Sequence, residues 1–158
     1  MSESLPCFKA YDVRGRVPDE INEDVDRRIG RAYAEVIDPG SVVVGHDIRL
    51  TSEAIKGALI DGLRDSGVNV VDIGLCGTEE IYCATDHLGV GGGIVVTASH
   101  NPKDYNGMKF VREGAKPISG DSGLAEIRRL TEQRRGRDSG SKGSYETAST
   151  LSPYIQHL

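Results

Sequence analysis

The sequence predicts an α/β protein of three layers, in which helices cover both faces of a mixed, largely parallel β-sheet. Two observations carry this prediction. Short β-branched runs alternate with amphipathic helical patterns between residues 21 and 97, which is the order that right-handed βαβ crossovers produce. One more predicted strand, residues 108–111, follows after a loop too short for a crossover. We therefore expect its strand to pair antiparallel with the strand before it.

The helices are predicted where apolar residues recur every three or four positions. Asn22 is placed to cap the first helix, and Ser66 and Gly67 are placed to end the second. Helices are predicted over residues 21–37, 51–65 and 78–88, with a last one marked by Leu124, Ile127 and Leu130. Strands are predicted over residues 41–45, 68–73, 93–97 and 108–111, with an edge strand over residues 8–14.

Composition and charge exclude several classes of protein. The length of 158 residues corresponds to one domain. The formal net charge of −5 argues against a broadly basic nucleic-acid binder, and no apolar run reaches the length of a membrane span. The three cysteines, Cys7, Cys76 and Cys83, form no Cys-x-x-Cys pair, which favours reduced thiols. We therefore expect a cytoplasmic protein that binds neither nucleic acid nor membrane.

The composition changes towards the carboxyl end of the chain. Residues 1–135 hold the predicted elements, and residues 136–147 are small and polar, a composition typical of a linker. Residues 148–158 resemble the start of a new helix, with Ser152 as its cap and Pro153 in its first turn. We expect this to be the truncated start of a second domain. A domain severed from its neighbours exposes apolar surface, which favours a homodimer.

A polar loop follows directly after the third predicted parallel strand. Residues 97–102 (Thr-Ala-Ser-His-Asn-Pro) offer a hydroxyl nucleophile at Ser99 beside an imidazole at His100. Such loops, at the carboxyl ends of parallel strands, are where α/β sheets bind ligands. Lys109 and Arg14 could supply the positive charge that a phosphoryl-carrying serine needs. The alternative is an ordinary turn, because Ser, Asn and Pro all favour turns.

Other charged residues are interpreted as structural. Asp47 and Arg49 precede the second helix and are expected to form an ion pair that fixes the turn. Asp24 and Asp26 lie two residues apart on a helix, so their side chains should point apart and not share a metal. A group of arginines near the end of the last helix is interpreted as a solvated helix face. These are Arg128, Arg129, Arg134 and Arg135.

Residues 97–102 resemble the phosphoserine signature of the α-D-phosphohexomutases, the family of the phosphomannomutases and phosphoglucomutases. Four further stretches resemble segments of this family in the same order. They are residues 8–15, 45–52, 74–80 and 104–109. Residues 74–80 (Gly-Leu-Cys-Gly-Thr-Glu-Glu) resemble the bacterial phosphomannomutases in particular. The resemblance extends from about Cys7 to Leu158 and implies the family's first domain.

This resemblance implies a role for each candidate residue. Ser99 would hold a phosphoryl group, give it to a hexose phosphate and recover one from the resulting hexose 1,6-bisphosphate. His100 and Lys109 would transfer protons beside it, although Lys109 could also be a solvated strand residue. The residues that would bind substrate or phosphate are Tyr11, Arg14 and Asn101. The structural alternative for Tyr11 is a place in the core.

The resemblance also implies a magnesium ion bound through the phosphate on Ser99. In the family, the other ligands come from an Asp-x-Asp-x-Asp loop of the second domain, and no such triplet occurs in this sequence. The fragment is therefore expected to lack full mutase activity on its own. The alternative function is a non-catalytic module that binds a sugar phosphate weakly or associates with itself.

Overall fold

A seven-stranded sheet organises the computed structural model, which describes residues 4–98 and 101–148. The strands are β1 (Val13–Arg16), β2 (Ser41–His46), β3 (Asn69–Leu75), β4 (Gly92–Val96), β5 (Tyr105–Arg112), β6 (Lys116–Pro117) and β7 (Tyr145–Thr147). The α-helices within those residues are α1 (Glu23–Ile37), α2 (Ser52–Asp65), α3 (Thr78–Leu88) and α4 (Leu124–Glu132). The four helices predicted within the described residues are therefore present, and the first three lie within a few residues of their predicted bounds.

The sheet is mixed, as predicted. Its strands follow the order β1-β5-β4-β2-β3-β7, and β6 pairs with β5 outside this path. The strands β4, β2, β3 and the edge strand β7 are parallel to one another. The strand β5 runs antiparallel to both β4 and β1. The short loop between β4 and β5 explains this reversal, because a parallel return needs a crossover of a dozen residues or more.

Helices cover both faces of the sheet, which confirms the three-layer α/β/α architecture. Alternate residues of β2 point to opposite faces. Val42 and Val44 belong to a core shared with α1, α2 and α4, whereas Val43 packs with Ile81 and Ala84 of α3. All three valines are fully buried. A central strand buried on both sides gives the continuous apolar run that predicted it.

The amino-terminal edge strand is shorter than predicted. It begins at Val13, and the predicted residues before it form a turn in which the Lys9 amide donates to the Asp12 carbonyl at 2.8 Å. Phe8 returns to make an isolated antiparallel bridge with Val13. The segment from residue 8 to residue 14 thus folds back on itself, and only its last two residues extend along β5.

Residues 136–147, the predicted linker, lie along the domain and end in β7. The Ser66 hydroxyl donates to the Arg137 carbonyl at 2.7 Å, and the Gly143 amide donates to the Arg64 carbonyl at 2.9 Å. The Tyr145 hydroxyl then donates to Asp72 at 2.7 Å. The predicted domain limits stay a prediction, and the predicted helix at Ser152 lies outside the described residues.

None of the helices in the described part of the chain combines the length and the apolar character needed to cross a membrane.

Candidate active site

The candidate site is the loop that leaves β4, at the carboxyl end of the parallel strands. Ser99 and His100 lie outside the described residues, whereas both flanks of the loop are described. The Asn101 amide donates to the Ala98 carbonyl at 3.0 Å, and its side-chain Nδ2 donates to the same oxygen at 2.7 Å. The backbone and the side chain of Asn101 therefore join the two described flanks of the signature.

Arg49 holds this loop from the side of β2. Its Nη2 donates to the Asn101 carbonyl at 2.6 Å, and its Nη1 donates to the carbonyls of Pro102 and Tyr105 at 2.6 and 3.0 Å. A guanidinium suits this task, because its donors form a rigid planar fork. One side chain thus fixes three backbone carbonyls on the carboxyl side of Ser99.

Asp47 orients Arg49 and anchors the other side of the loop. The predicted ion pair is confirmed, with 3.5 Å between Asp47 Oδ2 and Arg49 Nε. The same carboxylate accepts hydrogen bonds from the Thr97 hydroxyl at 2.8 Å and the Ser52 hydroxyl at 2.6 Å. Asp47 therefore connects the end of β2, the first turn of α2 and the first residue of the signature.

A buried asparagine completes this framework beneath the loop. The side chain of Asn106 donates to the hydroxyls of Thr51 and Ser52 at 2.8 and 2.9 Å, and Asn106 is fully buried. Its Oδ1 accepts from the Gly107 amide at 2.8 Å. Each of these buried polar atoms has a partner, so the network stabilises one arrangement of the loop and the helix start.

Lys109 lies on β5, beside the strand that leads into the loop. It stands opposite Val95 of β4 and is partly buried. Directly opposite residues share a face of the sheet, so Lys109 lies on the face that α3 covers. No carboxylate forms an ion pair with it among residues 4–98 and 101–148. A partly buried ammonium without an anion is suited to binding a phosphoryl group.

Arg14 reaches the same end of the sheet from β1. It stands opposite Gly107 of β5, whose carbonyl accepts a hydrogen bond from the Thr97 amide at 2.9 Å. The Arg14 side chain is 41% exposed and pairs with Asp12 at 3.1 Å. Tyr11, in the turn before β1, is 76% exposed, which excludes the core position that the sequence left open.

A cleft of about 570 Å³ opens beside the loop. Its lining residues are Asp47, Ile48, Arg49, Leu50, Thr51, Asn101 and Lys103. Sequence reasoning did not single out Ile48, Leu50 or Lys103. Ile48 is 85% exposed and Leu50 is fully exposed. Lys103 directly follows the signature, and that proximity was the one signal that could have drawn attention to it.

The described residues do not fit a magnesium site by themselves. No group of three or more His, Cys, Asp or Glu side chains within them is arranged to hold a metal ion. Asp24 and Asp26 point apart, as predicted, because the Asp24 side chain is 66% exposed whereas Asp26 is fully buried. A hard cation needs about six oxygen ligands, and this chain's described side chains do not bring enough of them together.

A polar loop held at the carboxyl ends of the parallel strands in a mixed α/β/α sheet is the arrangement of a ligand-binding α/β domain. The family model for phosphoglucomutase/phosphomannomutase, alpha/beta/alpha domain I, matches residues 6–137. The chain therefore belongs to the phosphoglucomutase/phosphomannomutase family and contains its domain I.

Individual relatives agree with this assignment. A phosphomannomutase of Salmonella typhimurium is 61% identical over 156 residues, which are 98% of this chain and 34% of that protein. A phosphomannomutase sequence of Klebsiella pneumoniae is 59% identical over 153 residues, 96% of this chain and 98% of that sequence. A solved family protein of Burkholderia thailandensis superposes with a TM-score of 0.87 at 38% identity, covering 97% of this chain and 35% of its own. The chain thus spans about one third of the length of most of these relatives.

Proposed function

We propose that this chain is the phosphoserine-bearing domain of a phosphomannomutase, the enzyme that interconverts mannose 6-phosphate and mannose 1-phosphate. The observation that carries the proposal is the clamped signature loop, in which Arg49 and Asp47 hold both sides of Ser99's position in the chain. Relatives called phosphomannomutase at 61% and 59% identity support the choice of substrate.

In the proposed reaction, a free hydroxyl of the hexose phosphate attacks the phosphorus of phosphorylated Ser99. The new bond joins the sugar oxygen to phosphorus while the bond from phosphorus to the serine oxygen breaks, which leaves a hexose 1,6-bisphosphate. After the sugar reorients, the serine oxygen takes the phosphoryl group from the other end. His100 is proposed to accept and return the proton of the attacking hydroxyl.

The remaining candidate residues stabilise charge and position the reactants in this proposal. Phosphoryl transfer depends mainly on positioning and on stabilising the charge of the equatorial oxygens. Lys109 supplies an ammonium that has no carboxylate partner among the described residues and can also exchange a proton. Arg14 adds a second cation from β1, and Tyr11 is proposed to contact the substrate at the entrance. Asn101, whose side chain donates to the Ala98 carbonyl, is proposed to act by shaping the loop that binds the phosphate.

Magnesium is proposed to bind the phosphate on Ser99, with its remaining ligands supplied by parts of the protein outside these 158 residues. The described side chains form no site for it, so this chain alone should not complete the mutase cycle. A cytoplasmic location is also proposed. It is supported by three free cysteine thiols, of which Cys7 and Cys76 are buried, as is usual in a reducing compartment.

Phosphorylation of the isolated chain tests the proposal. The 158-residue chain is incubated with mannose 1,6-bisphosphate or glucose 1,6-bisphosphate in a magnesium buffer, and intact mass and peptide mapping locate any phosphoryl adduct. We expect an adduct on Ser99 that is absent from Ser99→Ala and unchanged in Ser141→Ala, which removes an exposed serine. An adduct that persists in Ser99→Ala, or one that maps to another residue, overturns the proposal and favours a non-catalytic module. An unmodified Ser99 in a folded chain would mean that parts of the protein outside these 158 residues are needed even for this half-reaction.

A further inference from the structure

Three exposed apolar side chains lie together at the carboxyl edge of the sheet. Ile48 and Leu50 are almost fully exposed, and Leu75, the last residue of β3, is 61% exposed. Ile48 and Leu50 line the cleft beside the signature loop, here called the first cleft, which contains Lys103. Together with Leu75 they also line a second cleft of about 510 Å³, which contains Glu53. We call Ile48 and Leu50 the apolar ridge, because they border both clefts.

The ion pair between Asp47 and Arg49 holds the apolar ridge in solvent. The side chains of Asp47 and Arg49 are mostly buried, and their hydrogen bonds fix them against the flanks of the signature loop. Ile48 and Leu50 alternate with them along the chain and are exposed. Turning the ridge inwards would break the pair, so covering it needs a second surface. Exposed apolar patches of this kind usually mark interaction sites.

Opposite charges flank the apolar ridge. Lys103 is exposed at the first cleft, and Glu53 is exposed at the second. Among residues 4–98 and 101–148, Lys103 forms no ion pair with a carboxylate, and the one ion pair of Glu53 is with His46 Nε2, at 4.0 Å. Burial, and after it the charge of Lys56, lowers the pKa of His46, so this imidazole carries little charge at neutral pH. Each flank of the ridge therefore presents one charge to a partner of opposite sign.

We propose that the apolar ridge is the interface through which two copies of this chain form a symmetric dimer. A two-fold axis parallel to the ridge packs the two ridges against each other and places Lys103 of each copy opposite Glu53 of the other. Such an interface has the usual apolar centre and charged rim, and the two-fold axis repeats every contact. A partner that carried only one sign of charge would leave one flank unpaired, whereas a second copy pairs both.

The extent of this surface indicates a weak dimer that forms and separates with concentration. The first cleft is lined by seven residues and the second by nine, of which four are common to both. A stable interface uses about 20–30 residues of each partner, which is more than these clefts supply. The sequence led us to expect a homodimer through exposed apolar surface, and the ridge assigns that surface to Ile48 and Leu50. This inference does not depend on the proposed chemistry of Ser99.

Sedimentation equilibrium of the 158-residue chain tests this proposal. Over protein concentrations from micromolar to millimolar, the wild-type chain should follow a monomer–dimer equilibrium. Leu50→Asp and Ile48→Asp each place a charge in the apolar centre and should weaken the dimer at least about ten-fold. Leu88→Asp is the matched control, because Leu88 is exposed on α3 and lines neither cleft. Its dimer should stay within about two-fold of wild type in affinity.

Exchange of the two rim charges tests the pairing itself. Lys103→Glu and Glu53→Lys each bring like charges together and should weaken the dimer about ten-fold, whereas the double variant should return to within about three-fold of wild type. Lys116→Glu makes the same change of charge on the exposed β6 and should have little effect. A dimer that Leu50→Asp leaves intact, or a double variant no tighter than the single ones, overturns the proposal. A chain that stays monomeric at every concentration also overturns it and leaves the ridge to a different partner.

Discussion

The guanidinium of Arg49 lies 3.5 Å from the carboxylate of Asp47, and together they join the end of β2 to both flanks of the loop after β4. Arg49 fixes three carbonyls after the signature serine, and Asp47 fixes the hydroxyl of Thr97 before it. The pair supports the loop of the candidate site and contributes no reacting group. Its loss should therefore loosen the loop while the reacting groups stay in the chain.

Replacing Arg49 by alanine should free the loop while the fold persists. The change removes hydrogen bonds to three carbonyls and leaves the partly buried Asp47 without its cation, so we expect a loss of about 1–3 kcal/mol in the free energy of unfolding. Hydrogen exchange should accelerate at the amides of Asn101 and of residues 103–105, and phosphorylation of Ser99 should slow at least about ten-fold.

Arg49→Lys should restore little of the protection from hydrogen exchange and little of the phosphorylation rate, because one ammonium cannot reproduce the planar fork of the guanidinium. Arg129→Ala, on an exposed face of α4, is the control and should change neither measurement. Unchanged exchange at Asn101 and residues 103–105 in Arg49→Ala would show that the clamp does not hold the loop.

Replacing Lys109 by alanine should slow phosphoryl transfer more than it affects stability. Loss of this ammonium removes charge stabilisation and a candidate proton donor, so the rate of Ser99 phosphorylation should fall about 10²-fold. The free energy of unfolding should change by less than about 1 kcal/mol, because no ion pair is lost within the described residues. Mass spectrometry of the time course and thermal unfolding give the two values.

Lys116→Ala serves as the comparison for Lys109→Ala. Lys116 lies on the neighbouring β6 and is exposed, so its loss should leave the rate unchanged. Equal rates for wild type and Lys109→Ala would remove Lys109 from the proposed mechanism.

Replacing Asp26 by asparagine should stabilise the protein at neutral pH. Asp26 is fully buried, and neither carboxylate oxygen has a hydrogen-bond partner among the described residues. Burial, with a smaller contribution from the charge of Glu23, raises the pKa of Asp26 well above its usual range. The folded state therefore holds a proton that the unfolded state releases above a pH of about 4.

The sign of the effect follows from this shift. Below the unfolded pKa of about 3.9, Asp26 is protonated in both the folded and the unfolded state, so its ionisation does not affect the free energy of unfolding. As the pH rises from there towards the folded pKa, the unfolded state ionises first and the folded state is increasingly destabilised. Asp26→Asn should thus gain about 1–3 kcal/mol at pH 7 and progressively less towards pH 4, measured by denaturant unfolding. The exposed Asp19→Asn control should show no such trend, and a loss of stability in Asp26→Asn at pH 7 would contradict the prediction.

Replacing Tyr145 by phenylalanine should loosen β7 from the sheet. The Tyr145 hydroxyl donates to Asp72, which also pairs with the buried Lys56 at 3.0 Å. Burial alone would raise the pKa of Asp72, but hydrogen bonds from Tyr145, Lys56 and the Gly74 amide outweigh it and hold the pKa below its usual range. We expect a loss of about 1 kcal/mol and faster hydrogen exchange at residues 145–147.

The contribution of Asp72 to the free energy of unfolding depends on pH in the opposite sense to that of Asp26. A lowered folded pKa contributes stability above the unfolded pKa of about 3.9, and this stability disappears as the pH falls through the folded value. The difference between wild type and Tyr145→Phe should therefore be full at pH 7 and shrink below about pH 4. Tyr11→Phe, at an exposed tyrosine, is the control, and a difference that persists in acid would exclude the bond to Asp72 as its cause.

Much of the fold could be predicted because its elements are encoded by local patterns. The Asn22 side chain accepts a hydrogen bond from the Val25 amide at 3.0 Å, as its position before an apolar stripe predicted. The edge strand is shorter than its sequence pattern predicts, because residues 9–12 form a turn that depends on the pairing of Phe8 with Val13. The small polar residues 136–147 indicated a linker, and their composition could not show that they would add a strand to β3.

The sequence by itself determined the four helices, the strands β2 to β5, the parallel centre of the sheet and the position of the signature loop. These follow from the spacing of apolar residues and from residue types within one loop, which are local properties of the chain. Only the tertiary structure decided that Arg49 would bind backbone carbonyls up to 56 residues away along the chain. The same holds for Arg28, which donates to the carbonyl of Thr131 at the end of α4, 103 residues away. Such contacts depend on the order of strands and the packing of helices across the whole sheet, which no local pattern records.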